Sequence, residues 1–244
     1  GQYETNLHHG ADPLRAADQA LLLKRLVRGV AQAHGYDATF LSKPFADQAG
    51  NGMHLHVSLC DEAGSNIFAS EAKEGSAALR HGIGGLGATM VESMAIFAAN
   101  PNAFRRFQAG SYAPLSPSWG YDNRTVAFRI PFGPSESRRV EHRLSGADAN
   151  PYLVLAAILA GLHHGIVRKI DPGERTVGNA YEQHGTTVPT RWEDALDALA
   201  DGEILPRYID PDLLRVYRTT KESERRSFLR EVPPAERALF LRAV

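Results

Sequence analysis

The segment Gly50–Leu59, GNGMHLHVSL, alternates without a break. His54, His56 and Ser58 fall on one side of an extended chain, and Met53, Leu55, Val57 and Leu59 fall on the other. This pattern demands a sheet whose apolar face enters a core and whose polar face stays available for chemistry. Imidazoles at that spacing suit a divalent metal and a bound ligand. On its own a His-x-His pair equally suits a wet sheet face. SRRVEHRL, residues 137–144, repeats the period with charge: Arg139, Glu141 and Arg143 share a face, opposite Val140 and Leu144. A carboxylate flanked by two guanidiniums is held ionised, ready for a hard cation, while the arginines can receive anionic groups. The plain alternative is an exposed ion-pair ladder, which contributes little to stability.

YDNRTVAFRI adds Arg124 and Arg129. Their odd spacing puts them on opposite faces of an ideal strand, so both reach one site only if Arg124 precedes the strand or sits at a bulge. Taken together, Glu4, His54, Glu141 and the arginines gather at strand ends or on polar strand faces. Carboxylates with an imidazole suit Mg²⁺ or Mn²⁺, guanidiniums suit phosphate, and the combination suits phosphoryl transfer. Charge must act locally, because 27 basic against 28 acidic residues give a formal net charge of −1. Neither a non-specific nucleic-acid binder nor a membrane binder is expected. The single cysteine, Cys60, cannot form an internal disulfide and fits a cytoplasmic location. No signal peptide or apolar run of membrane length is read.

The remaining elements follow from period and punctuation. Gln2–Leu7 alternates as a half-buried strand, so with Gly1 in place of methionine the sequence is expected to be a fragment lacking an upstream part. Asp12 as N-cap and Pro13 open a helix that runs to Gly35 and carries Leu22, Leu26 and Val30 at helical spacing. Residues 38–45 and 52–59 read as strands, and 79–100 as a helix with a glycine-rich first half. Residues 100–123 read as one long loop, followed by strands at 124–131 and 137–144. Residues 149–170 form a buried apolar helix, and the tail from Thr190 is helical, opened by a Thr190–Glu193 capping box. The order suggests α+β architecture.

GQYE, GMHLHVSL, NRTVAFRIP, RRVEHR and ANPYLVLAAILAG, in this order, resemble the catalytic domain of glutamine synthetase. The resemblance implies an α+β fold in which a curved, mostly antiparallel sheet with flanking helices forms half of a funnel-shaped site, with a helical C-terminal tail. It makes residues 1–244 one catalytic domain without the family's small N-terminal β-grasp domain and upstream metal-ligand strands. Such a fragment is expected to turn over poorly or not at all. The implied reaction uses ATP to phosphorylate the γ-carboxylate of glutamate, after which an amine displaces phosphate from the γ-glutamyl phosphate, in a ring-shaped homo-oligomer.

Residue by residue, the resemblance makes Glu4, His54 and Glu141 metal ligands, and it puts His56 and Ser58 on the nucleotide side. Arg124 and Arg129 face the phosphates and act in catalysis, while Gly50, Arg106 and Arg143 hold glutamate. Two departures stand out. Tyr112 occupies the place of the family's ammonium-binding glutamate before Ala-Pro, and Ala49 stands where an asparagine is usual. A phenol, with a reference pKa near ~10 against ~4.3 for glutamate, offers ammonium no permanent anion. The resemblance is therefore closer to γ-glutamyl-polyamine and other γ-glutamylamide ligases, with Tyr112, Trp119 and Tyr121 as candidates to line an acceptor pocket. Simple loop packing explains the same aromatics. True glutamine synthesis with ammonium, or a non-catalytic family member, are the alternative readings.

Overall fold

The computed structural model, which describes residues 1–72 and 75–243, contains eight α-helices and a four-stranded sheet among those residues. They are α1 (Pro13–Ala33), α2 (Ala77–Phe97), α3 (Pro101–Phe104), α4 (Pro151–Arg168), α5 (Ala180–Gln183), α6 (Trp192–Ala200), α7 (Pro211–Leu229) and α8 (Pro234–Phe240). The strands are β1 (Leu55–Val57), β2 (Trp119–Tyr121), β3 (Phe128–Ile130) and β4 (Val140–His142), in the spatial order β1-β4-β3-β2. The β1/β4 and β3/β4 pairs are antiparallel and the β2/β3 pair is parallel.

The core lies between the sheet and a crossing of α2 with α4. The glycines of α2 explain that crossing: a Cβ on Gly85 would sit 2.0 Å from the Gly161 carbonyl oxygen and 2.4 Å from the Gly165 nitrogen. Only bare backbone lets the two helices come this close. Phe68, Met90, Met94, Phe128, Ile130, Leu144 and Ile158 fill the space around it. Long and apolar enough by composition alone to cross a bilayer, α4 departs from the reading that no run of membrane length is present, and the fold uses it as the core partner of α2. Asp12 caps α1 as expected, accepting from the Leu14 and Arg15 N–H groups, and Gly35 ends it at φ +75°. Yet Leu22, Leu26 and Val30 of α1 are exposed, and only Ala17 of that helix is buried.

Four local expectations are corrected. Gln2–Leu7 and residues 38–45 are not strands. Alternation is compatible with a strand, but the N–H and C=O groups of a strand need a paired neighbour, and none of the described strands pairs with these segments. Residues 100–123 are not one loop, because α3 and β2 lie within them. Three residues are too few to show a period, and β2 exists through its pairing with β3. Finally, α6 starts one residue later than the capping box requires: Arg191 is the N-cap without a side-chain bond, and Glu193 instead pairs with Arg225 at 3.7 Å.

Candidate functional site

Strand register assembles the polar face. His56 lies opposite Glu141 across β1/β4, and Glu141 lies opposite Arg129 across β3/β4, so three side chains form one transverse row. Along β1 the exposure alternates as the sequence requires, with His54, His56 and Ser58 outward and Met53, Leu55, Val57 and Leu59 packed against the core.

Glu141, only 3% exposed, is the hub of this face. Arg129 Nη1 donates to its Oε2 at 2.6 Å, Arg143 Nη1 donates to its Oε1 at 2.6 Å, and His54 Nδ1 lies 3.2 Å from the same Oε1. Burial alone would raise its pKa. The hydrogen bonds from His54 and Arg129 and the charge of Arg143 outweigh burial and hold the carboxyl well below the usual carboxylate range. Arg129 is braced from its other side by Asp122, 2.8 Å from Nη2, and Arg143 Nη2 donates to the Arg124 carbonyl at 3.1 Å. Arg139 Nε donates to His56 Nδ1 at 3.2 Å, so that nitrogen is the acceptor and a neutral ring carries its proton on Nε2. Burial, aided by the charge of Arg139 and partly opposed by Glu141, lowers the His56 pKa.

Arg106 supplies a second centre of charge. Asn100 caps α3 and the chain then delivers Arg106 into the interior, where Nη1 donates to the Leu144 carbonyl at 3.0 Å. Gly50 and Gly52 leave room for it: a Cβ at Gly50 would meet its Cγ at 2.8 Å, and one at Gly52 would meet its Nη2 at 2.9 Å. Arg106 makes no ion pair among the described residues, and burial pushes its pKa down to about 10 against the opposing charge of Asp148. A buried guanidinium without a carboxylate partner is costly, and a bound anion would offset that cost.

The other expected site residues are placed as follows. Arg124 lies exposed in the turn before β3, which is where its spacing requires it to be. Ser58 lies just beyond β1 on the same face as His56. Glu4 is exposed on a segment without regular structure, and among the described residues no three His, Cys, Asp or Glu side chains come close enough to hold a metal ion. The start of that segment does touch the site, since Gln2 Nε2 donates to the Gly50 carbonyl at 3.0 Å. Tyr112 is 61% exposed at φ +58°. Trp119, by contrast, is buried and donates to the Gly173 carbonyl at 3.1 Å, and Tyr121 packs edge-on against it beneath Arg175. Both residues belong to β2 rather than to a loop.

Two residues escape sequence reasoning. Asp122 Oδ1 receives both Arg129 Nη2 and the Phe132 N–H from a left-handed backbone at φ +45°, a conformation that aspartate tolerates. The dipeptide Asp-Asn before Arg124 is the signal that could have found it. His142, on the inner side of β4, is buried between Phe97 and Phe128, and burial lowers its pKa to about 3. As for a metal, the pair of one ionised carboxylate and one imidazole at 3.2 Å fits part of the donor set of a hard divalent cation, with the remaining positions left to other oxygens.

Comparison with known proteins gives three consistent results. Residues 1–240 match the family described as "Glutamine synthetase, catalytic domain". The chain is 44% identical over 236 residues to gamma-glutamylputrescine synthetase PuuA of Escherichia coli, covering 97% of this chain and 50% of that protein. It is also 41% identical over 184 residues to a glutamate–isopropylamine ligase of Pseudomonas sp, covering 75% and 40%. The solved structure titled "Apo GmaS without ligand" superposes with a TM-score of 0.85 at 32% identity, covering 95% of this chain and 54% of that one. The chain thus spans about half the length of the relatives it matches.

Proposed function

The chain belongs to the glutamine synthetase family, through its catalytic domain, and on that premise we propose that it serves an ATP-dependent ligase that joins the γ-carboxylate of glutamate to an organic amine. The observation that carries the proposal is a pair of neighbouring charge centres, both reached from Gly52, whose Cβ position lies 2.9 Å from Arg106 Nη2 and 3.3 Å from His54 Nε2. One is an ionised Glu141 ringed by His54, Arg129 and Arg143, and the other is a buried Arg106 with no ion pair among the described residues. The names of the relatives that act on putrescine and isopropylamine support an organic acceptor over ammonium.

In this reading Arg106 and Arg143 hold the carboxylates of glutamate against the Gly50–Gly52 backbone. An oxygen of the γ-carboxylate attacks the terminal phosphorus of ATP, and ADP leaves. The amine lone pair then attacks the acyl carbon, inorganic phosphate leaves, and the amine's proton passes to solvent or base. Arg129, held rigid by Glu141 and Asp122, and Arg124 in the turn before β3 stabilise the charge that develops on the transferring group. His56 and Ser58 face the nucleotide. A divalent Mg²⁺ or Mn²⁺ held by His54 and Glu141, with Glu4 as a further candidate, supplies charge neutralisation when bound. Tyr112 stands on the acceptor side.

The test is phosphate release from the natural protein with Mg²⁺, ATP and glutamate, comparing ammonium with mono-, di- and polyamines. Release with an organic amine and little with ammonium is expected. Tyr112→Glu should move preference toward ammonium, and release chiefly with ammonium from the unaltered protein would overturn the organic-acceptor reading.

A further inference from the structure

We propose that Tyr181 is a positioning residue that fixes the turn carrying Tyr112 and thereby sets which amines the site accepts; the second half of this statement rests on the ligase reading above. The turn that carries Tyr112 is strained. Gly110 at φ +77° and Tyr112 at φ +58° bracket Ser111, so the chain makes two left-handed steps within three residues. Glycine takes that conformation freely, but a tyrosine does not, and it stays there only when its surroundings hold it.

Two hydroxyls hold this turn. Ser111 Oγ lies 2.6 Å from both the Arg106 and the Gln108 carbonyl oxygens and accepts from the Ala113 N–H at 3.3 Å, closing the turn from within. Tyr181 Oη donates to the Ala113 carbonyl at 2.9 Å, closing it from outside, one residue after Tyr112. Burial raises the Tyr181 pKa, against the influence of Ser111, Arg143 and the Tyr112 backbone, so the hydroxyl stays protonated and able to donate.

Tyr181 is itself anchored to the turn that leads into β3. Asn179 caps α5 by accepting from the Tyr181 N–H at 3.1 Å, and Thr125 Oγ1 accepts from the Ala180 N–H at 2.9 Å. Asn123 Nδ2 donates to the Gly178 carbonyl at 2.7 Å. Asn123 and Thr125 flank Arg124, whose carbonyl receives Arg143. The α5 segment therefore ties the Tyr112 turn to the arginine side of the face, and Tyr181 is the link that touches that turn.

Three proteins test this: Tyr181→Phe, Tyr112→Ala and the double variant. Tyr181→Phe keeps the ring and removes one donor, so amide hydrogen exchange across residues 108–113 should quicken by about fivefold, the worth of one ordinary hydrogen bond. The KM for the amine should rise by a similar factor, while those for glutamate and ATP stay within about twofold. In the Tyr112→Ala background the same change should leave the amine KM unaltered, because the hydroxyl acts through that side chain. Unchanged exchange, an equal rise in all three KM values, or additive effects in the double variant would each overturn the proposal. If the unaltered protein releases no phosphate with any amine, the ligase reading falls with the acceptor claim, and the exchange measurement separately decides whether Tyr181 holds the turn.

Discussion

Replacing Gly85 by alanine tests the central packing of the fold. In an ordinary helix interior the change would stabilise by about 1 kcal/mol, because alanine loses less backbone entropy on folding. Here the new Cβ would lie 2.0 Å from the Gly161 carbonyl oxygen, 2.4 Å from the Gly165 nitrogen and 2.5 Å from its Cα. All three are backbone atoms, so no side chain can turn aside. Helices α2 and α4 must part by roughly 1.4 Å to restore van der Waals contact, which forfeits much of the dispersion attraction along the crossing. Overpacking costs about 1–3 kcal/mol, and the gaps opened beside it add to that. After the propensity gain, a net loss of about 2–3 kcal/mol is expected, or a Tm lower by roughly 5–10 °C. Urea unfolding reads it as a lower midpoint at unchanged slope. Gly29 of α1, with nothing within 4 Å of its Cβ position, is the control, and alanine there should stabilise by about 1 kcal/mol. If the two variants shift the midpoint in the same direction, the close-crossing argument is wrong.

Glu141→Gln keeps the shape of the hub but leaves Arg143 buried without its counter-charge; a loss of roughly 3 kcal/mol in urea unfolding is expected, together with loss of Mg²⁺-dependent ATP binding by calorimetry. Retained metal-dependent binding would remove Glu141 from the proposed ligand set. Glu92 of α2 is buried, accepts from the Ile204 and Leu205 N–H groups at 3.2 and 3.3 Å, and has a pKa raised by burial against those bonds. A raised carboxyl pKa contributes stability that is fully present below the unfolded value of 4.5 and is lost as pH climbs through the folded value. Glu92→Gln, which mimics the protonated form, should therefore match the parent near pH 4 and exceed it at pH 7. A less stable variant at pH 7 would mean that the two backbone bonds outweigh burial.

What sequence determines here is what neighbouring residues can encode between themselves. The alternation at His54, His56 and Ser58 and at Arg139, Glu141 and Arg143 specifies which side of each strand is polar, because successive side chains point to opposite faces. Asp12-Pro13 and Gly35 bound α1 through their own backbone preferences. The same local logic misreads Gln2–Leu7 and residues 38–45, since period cannot say whether a partner strand exists, and it cannot see β2, which is made by pairing alone. Nor can it tell Trp119, sunk into the core, from Tyr112, left on the surface. Register is the decision that tertiary structure makes for the site. Setting Glu141 opposite both His56 and Arg129 turns scattered charges into one hub, while burial of Arg106 beneath Gly50 and Gly52 creates a cation in want of an anion. Both depend on contacts between residues far apart in the chain, whose geometry is settled only when α2, α4 and the sheet pack together and exclude water from between them.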